Sequence, residues 1–282
     1  MSAAALQPSL SLSLNISQQV PVPSLTPPPT PPSIEERLAE KTSFKPEDLA
    51  SFRNEQPELT AYDLIAQCKN VTLIHLKDIP LDETLAKTIQ SCCKKLKYFT
   101  LENHGPLSSV LSVTHLKLIN CKTFTATPKE LPQLQVLKIK GEMNSHWELK
   151  DFTKLIDLEI YESDTLNVDC LWTTSLQLFT LQQCPRITSL AKMQLQHLRS
   201  IHLVACENLV TLASFEKITA FTMDCCHRVN KLGLKECKPL EKLALTSNHG
   251  LGKICLPGER KADYVITDNP HLNIMWMGIP KA

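Results

Sequence analysis

Glycine is scarce in this chain, at 7 of 282 residues. Phosphate cradles, dinucleotide fingerprints and nucleophile elbows all need glycine where the backbone approaches a ligand closely. None of those strings occurs, which argues against a nucleotide-dependent enzyme or a serine hydrolase. Net charge is also missing. Thirty basic side chains stand against 29 acidic ones, a formal charge of +1, so no global field draws the chain to nucleic acid or an anionic membrane. Aromatic residues make up 5%, and charge interrupts every apolar run well short of the ~20 residues that cross a bilayer. The expectation is a soluble chain with no membrane span and no nucleic-acid partner.

Charge is wholly absent from Met1 to Ile34, where Pro21–Ser33 reads PVPSLTPPPTPPS. Such a stretch cannot bury a core, so residues 1–32 are expected to be a disordered Pro/Ser-rich leader with polyproline II character in its second half. It lacks the basic front and compact apolar block of a secretory signal. It has the character of the unstructured segments that carry bacterial effectors through non-Sec routes. The expected location is therefore the cytoplasm, or a host cytosol reached by such a route.

Helix signals begin at Ser33, where Ser-Ile-Glu-Glu forms a capping box with Glu36. Pro46 suits a first helical turn, and Thr60 can cap a helix over Ala61 to Gln67. The apolar residues Leu38, Leu49, Phe52, Leu59, Leu64 and Ile65 are too few for an independent core, so residues 33–70 read as a helical cap over something larger.

From Val71 one pattern recurs, clearest in LQLFTLQQCPRITSL, LRSIHLVACENLVTL and ITAFTMDCCHRVNKL. Apolar residues stand at relative positions one, four and six, Cys or Asn at nine, and apolar residues again at twelve and fifteen. Position one falls on Leu96, Val113, Leu134, Leu155, Leu176, Leu198, Ile218, Leu240 and Lys261. A period near twenty marks a solenoid in which each repeat buries its apolar face on its neighbours. The insert between the first two copies predicts a helix from Leu81 to Cys93.

This pattern resembles the leucine-rich-repeat family, whose Leu-x-x-Leu-x-Leu-x-x-Asn/Cys core it follows from Val71 to Met277. The resemblance implies an α/β leucine-rich-repeat solenoid over residues 71–282, with a curved parallel sheet and a short irregular or helical convex side. It implies that position nine turns in to bond the backbone, so that Cys121, Cys184, Cys206 and Cys226 are structural thiols. Glu142 departs from that rule. Eleven cysteines is an odd number, and the doublets Cys92-Cys93 and Cys225-Cys226 lack zinc-ligand spacing. Reduced, buried thiols and no metal or cofactor are expected. Trp147, Trp172 and Trp276 are assigned to convex or terminal packing.

Positions three, five and seven alternate with the inward residues and so face the concave surface. There, His115, Lys117, Ile119, Lys138 and Lys140 form a basic patch. Asp157, Glu159 and Glu162 form an adjacent acidic one around Tyr161, which like Ile119 is expected to be exposed. A neutral run through Thr180, Gln182 and His202 follows. Glu162 apart, these eleven residues are the candidate binding site for a protein partner of unknown identity, on a scaffold without catalytic residues. A substrate adaptor of a ubiquitin ligase and an enzyme with a site assembled only in space are the alternatives. For the leader, amide resonances of residues 1–32 should cluster in the random-coil range; wide dispersion there would refute the reading.

Overall fold

The structure, a computed structural model, describes residues 32–107, 109–142, 147–164, 175–191, 196–258 and 263–277. Residues 1–31 of the leader, Trp172 and the last repeat start at Lys261 lie outside the described residues. The cap begins with α1 (Ile34–Glu40), where Ser33 accepts from the Glu36 N–H and its own N–H donates to the Glu36 carboxylate at 2.8 Å. Pro46 opens α2 (Pro46–Glu55), since its missing N–H costs nothing in a first turn. Thr60 caps α3 (Ala61–Gln67). Leu38, Phe52, Leu64 and Ile65 are buried in the same core as the repeats. Between α1 and α2 lies a strand that the sequence reading did not foresee, β1 (Ser43–Phe44), which pairs parallel with β2 (Leu73–Lys77). The helix after β2 is α4 (Glu83–Cys92), capped by Asp82, whose carboxylate accepts the Leu85 N–H at 2.8 Å.

The repeats supply one short strand each: β3 (Tyr98–Glu102), β4 (His115–Ile119), β5 (Val136–Lys140), β6 (Asp157–Tyr161), β7 (Leu178–Gln182), β8 (Ser200–Val204), β9 (Ala220–Asp224), β11 (Lys242–Thr246) and β13 (Asp263–Thr267). With β1 and β2 they form one parallel eleven-stranded sheet whose spatial order follows the chain. Equivalent positions pair without slip, so Leu116, Leu137, Leu158, Phe179, Ile201, Phe221 and Leu243 stand in one row. A one-residue shift would turn every inward side chain to water, which holds the register firmly. The architecture is the leucine-rich-repeat solenoid that the resemblance implies. Positions four and six are buried from Ile74 and Leu76 through Leu243 and Leu245, each side chain contributing about 1.5–3 kcal/mol by leaving water. In the last strand, Tyr264 and Ile266 are only half-buried.

The bend after each strand repeats a single conformation. Position eight is left-handed in every turn: nine non-glycine residues there have φ between 51° and 58°, and Gly141 has φ 80°. A Cβ on Gly141 would fall 2.1 Å from Asn120 Oδ1, so glycine is required there by contact as well as conformation. The strain is offset by a hydrogen bond across turns. Asn120 N–H donates to the Lys140 carbonyl, Glu162 N–H to that of Gln182 and Ala205 N–H to that of Asp224, each at 2.9 Å.

Position nine then turns inward. The Cys121 thiol lies 3.3 Å from the Ile119 carbonyl oxygen and 3.4 Å from that of Leu101, and its sulfur accepts the His104 N–H. Asn248 fills the same role with two separate donors, to the Thr246 and Met223 carbonyls at 2.9 Å, while its Oδ1 accepts the Cys226 N–H at 3.0 Å. Glu142 instead points outward to an ion pair with Lys122. Ser163 is buried, and its hydroxyl has no hydrogen-bond partner among the described residues.

One expectation needs correction. The side opposite the large sheet is not wholly irregular or helical: the last three turns carry a second parallel sheet of β10 (Lys231–Gly233), β12 (Lys253–Pro257) and β14 (Asn273–Met277). The cause is period-two alternation, with Leu232, Leu234, Ile254 and Leu256 all buried. Trp147 is buried between Phe124 and Phe152 with its indole N–H on the Ala126 carbonyl, whereas Trp276 sits half-exposed on the terminal strand.

The ten described cysteines are free thiols. Burial pushes Cys184 up to about 12 and Cys68 likewise up to about 12. Site-resolved alkylation at neutral pH should modify the partly exposed Cys92, Cys225 and Cys255 well before Cys121, Cys184 or Cys206; equal rates would refute this turn geometry. Asn248→Ala should cost about 3 kcal/mol or more, because it strands one N–H and two carbonyls away from water. Urea unfolding should show Asn248→Cys recovering part of that loss.

Candidate functional site

The side of the large sheet away from the core carries all eleven residues singled out from the sequence. His115, Lys117 and Ile119 lie on β4, Lys138 and Lys140 on β5, Asp157, Glu159 and Tyr161 on β6, Thr180 and Gln182 on β7, and His202 on β8. The in-register pairing sorts them into rows. One row runs Lys117, Lys138, Glu159, Thr180, His202; the next runs Ile119, Lys140, Tyr161, Gln182. At about 4.8 Å per strand, His115 and His202 are some 19 Å apart.

The basic and acidic residues, expected as adjacent patches, are joined by ion pairs. They interlock. Lys138 Nζ is 2.8 Å from a Glu159 carboxylate oxygen, and Lys140 Nζ is 3.2 Å from one of Glu162. Tyr161 and Ile119 are half-buried rather than exposed, and the Tyr161 hydroxyl donates to Glu159. Lys138 and Glu159 stand directly opposite on adjacent strands and so lie within reach, while Tyr161 lies over Glu159 two residues back on the same strand.

The electrostatics of β6 follow. Burial pushes the Glu159 carboxyl up, but hydrogen bonds from Lys138 and Tyr161 and the charges of Lys138 and Lys117 outweigh it and hold the group below its usual range. Asp157 shows the reverse balance. Burial and the neighbouring Glu159 charge raise it, and Lys138 only partly compensates. His115 is lowered by burial, then by Lys138 and Lys97, and so stays neutral at pH 7. Its ring packs at a tilt against Tyr98, centroids 4.5 Å apart, while Nδ1 meets the Thr114 hydroxyl at 2.8 Å.

Two residues on this face were missed. Tyr98 and Leu178 are 44% and 43% exposed, the largest apolar surfaces beside the candidate residues. Both stand at position three, which the reading had already assigned to this face, so the register alone could have found them. Leu178 pairs with Asp157, placing an exposed apolar side chain against a carboxyl that is costly to keep charged. No group of three or more His, Cys, Asp or Glu among the described residues could hold a metal ion. No helix among them is long and apolar enough to cross a membrane.

No family model matches the chain, and no curated protein matches it. Among solved structures, a crystal structure of a TLR13–ssRNA13 complex is similar over 76% of this chain at 14% identity, with a TM-score of 0.21. The chain spans 50% of that one's length. A likeness at that score carries no weight for function, and the fold rests on the chain's own geometry.

Asp157→Asn tests the charge balance. A carboxyl raised in the folded state binds its proton more tightly there than when unfolded, so its contribution to stability falls as pH rises through the window between the two values. The variant should therefore unfold at higher urea than the parent at pH 7, and the gain should vanish as pH falls toward 4. A constant difference across that range would show that Asp157 is not strained.

Proposed function

We propose that this protein is a non-enzymatic interaction scaffold that binds a protein partner on the open face of its eleven-stranded sheet. The observation that carries the reading is the pattern on β6 and β7. Asp157 is a half-buried carboxyl pushed toward its neutral form, and exposed Leu178 lies beside it. Next come Thr180, Gln182, Ser200 and His202, a stretch without Asp, Glu, Lys or Arg. A partner placing a cation over Asp157 and an apolar side chain against Leu178 would relieve both costs at once. Recognition sites of this kind combine an apolar anchor with a polar rim.

The rigid ladder favours binding further. The strand backbone is held on both sides, so side chains at fixed spacing meet a partner with little ordering cost. The ion pairs among Lys138, Glu159, Lys140 and Glu162 leave little field for long-range steering, so association is governed by contact more than by attraction at a distance. Action inside another cell would depend on the leader, which lies outside the described residues.

The test compares proteins retained from lysate by the full chain with those retained by Tyr161→Ala/Leu178→Glu and by Lys122→Glu/Lys129→Glu on outer turns. Retention should fall at least tenfold for the first pair and persist for the second; Leu178→Glu alone, an exposed substitution of the kind that usually costs below about 0.5 kcal/mol, should show the same direction of loss at the parent's thermal midpoint. Equal retention by all three would place the binding surface elsewhere.

A further inference from the structure

The core of the solenoid is covered at one end and exposed at the other. At the first end, α1, α2 and α3 bury Leu38, Phe52 and Leu64 in the common core. At the other end, β13 is the outermost strand of the large sheet and β14 of the small one. Their register puts Tyr264 and Ile266 beside Leu243 and Leu245, and Ile274 and Trp276 beside Ile254 and Leu256. The four residues of the preceding turn are buried, whereas Ile274 and Trp276 are 36% and 37% exposed. The inward rows that make the core thus run out to an apolar surface, and the end of a stack of repeats needs a cover.

That end lacks the usual protection of a strand edge. Among the described residues nine large apolar side chains are exposed, and five of them, Val265, Ile274, Met275, Trp276 and Met277, stand on these two strands. Neither strand contains lysine, arginine or proline, and Asp263 is the one charge on them. Edges that remain unpaired are commonly blunted by such residues. Among the described residues no strand pairs with the outer edge of β13 or β14.

The geometry of this end restricts what can cover it. A cover must offer two strand edges at the separation of β13 and β14, with apolar side chains between them. The same end of a second copy has that separation. The opposite end does not, since its edge strand β1 is two residues long and helices fill the space beside it. Ends therefore meet like with like, about a two-fold axis. Such an axis runs β13 antiparallel to its counterpart, and directly opposite residues then share a face. Centred on Val265, the pairing sets Tyr264 of one copy against Ile266 of the other and Asp263 against Thr267, so inward residues stay inward and like charges do not meet. An apolar surface with one charge also has the character of homodimer contacts. We infer that this end of the solenoid is a dimer interface, in which the last turns of two copies cover each other and β13 joins β13 across a two-fold axis.

Sedimentation velocity of the full chain, from about 1 to 100 μM, should show a species of twice the chain mass that gains population with concentration. Val265→Lys, at a side chain 55% exposed, should weaken this dimer at least tenfold with an unchanged far-UV circular dichroism spectrum, while Val110→Lys on an exposed loop leaves it intact. The register is read by cross-linking with oxidised glutathione, measured above the background of the parent chain. Val265→Cys should link two copies readily, because the two substituted positions face each other within disulfide reach. Asp263→Cys should link at least tenfold more slowly by itself and as readily as Val265→Cys when mixed with Thr267→Cys. A chain that stays monomeric throughout this range, a dimer that Val265→Lys leaves intact, or equal linking by Val265→Cys and Asp263→Cys alone would overturn the proposal.

Discussion

The hydrogen bonds at the bend after each strand are the constraint on which the rest of the structure depends. A parallel sheet needs its chain turned back after every strand, and this chain does so by placing position eight in the left-handed region, turn after turn. That conformation costs roughly 1–2 kcal/mol for a residue with a Cβ. It persists because the same residue's N–H reaches the next turn's strand-end carbonyl and because position nine satisfies carbonyls that would otherwise be buried without a donor. Cysteine does this with one weak hydrogen, asparagine with two strong ones. The Asn248 and Asn269 turns, where Asn269 Oδ1 accepts the Asn248 N–H at 3.0 Å, are thereby tied more firmly than the cysteine turns before them. This gradient places the firmest backbone bonding next to the end of the solenoid, where Tyr264 and Ile266 are least covered.

The bend also determines what the open face can be. With register held row by row, long charged side chains one strand apart meet, and meeting means pairing. Lys77 reaches Glu102 at 2.7 Å, as Lys138 reaches Glu159. Pairs at such an exposed surface contribute little stability, but they cancel the field that a run of lysines would project. Surface chemistry in this fold is therefore a matter of rows, and a residue's neighbours at the same repeat position matter as much as its own type.

Much of this was legible in the sequence because a repeat reports the same physics many times. Inward residues, the capping box at Ser33 and the cap at Thr60 follow from spacing and side-chain type, and the role of Cys121, Cys184 and Cys206 follows from the resemblance to leucine-rich repeats. What was not legible depended on distances between turns. Whether Lys138 stands free or pairs with Glu159 is a matter of side-chain reach. β1 is two residues long and is a strand only because β2 lies beside it. The left-handed position had a partial signal in Asp78, Asn103, Asn120, Gly141 and Asp268, but Glu162, Gln183 and Ala205 share the conformation against their own preference and obscured it. The second sheet was hidden for a different reason: the alternation in KLGL, KICLP and NIMWM was present, and the expectation of an irregular back side overrode it.

Apart from the first turn, where position nine is Ile79, two turns depart from the bonding rule, and they are adjacent. Glu142 leaves the interior for Lys122, and Ser163 stays inside with an unpartnered hydroxyl. They follow β5 and β6, the strands that carry Lys138, Lys140, Asp157, Glu159 and Tyr161. In a solenoid, stability is nearly a sum over neighbouring turns, so a weak bend is felt mainly by the strands that it joins. Five of the eleven candidate binding residues thus stand on strands followed by these weakly bonded bends, and Asp157 among them is a carboxyl whose charge is disfavoured by its surroundings. Local departures from a fold's own rules concentrate where function opposes stability. On that principle the coincidence of two irregular bends with the one strained carboxyl sets β5 and β6 apart from the other turns of the face, and it does so without reference to any partner.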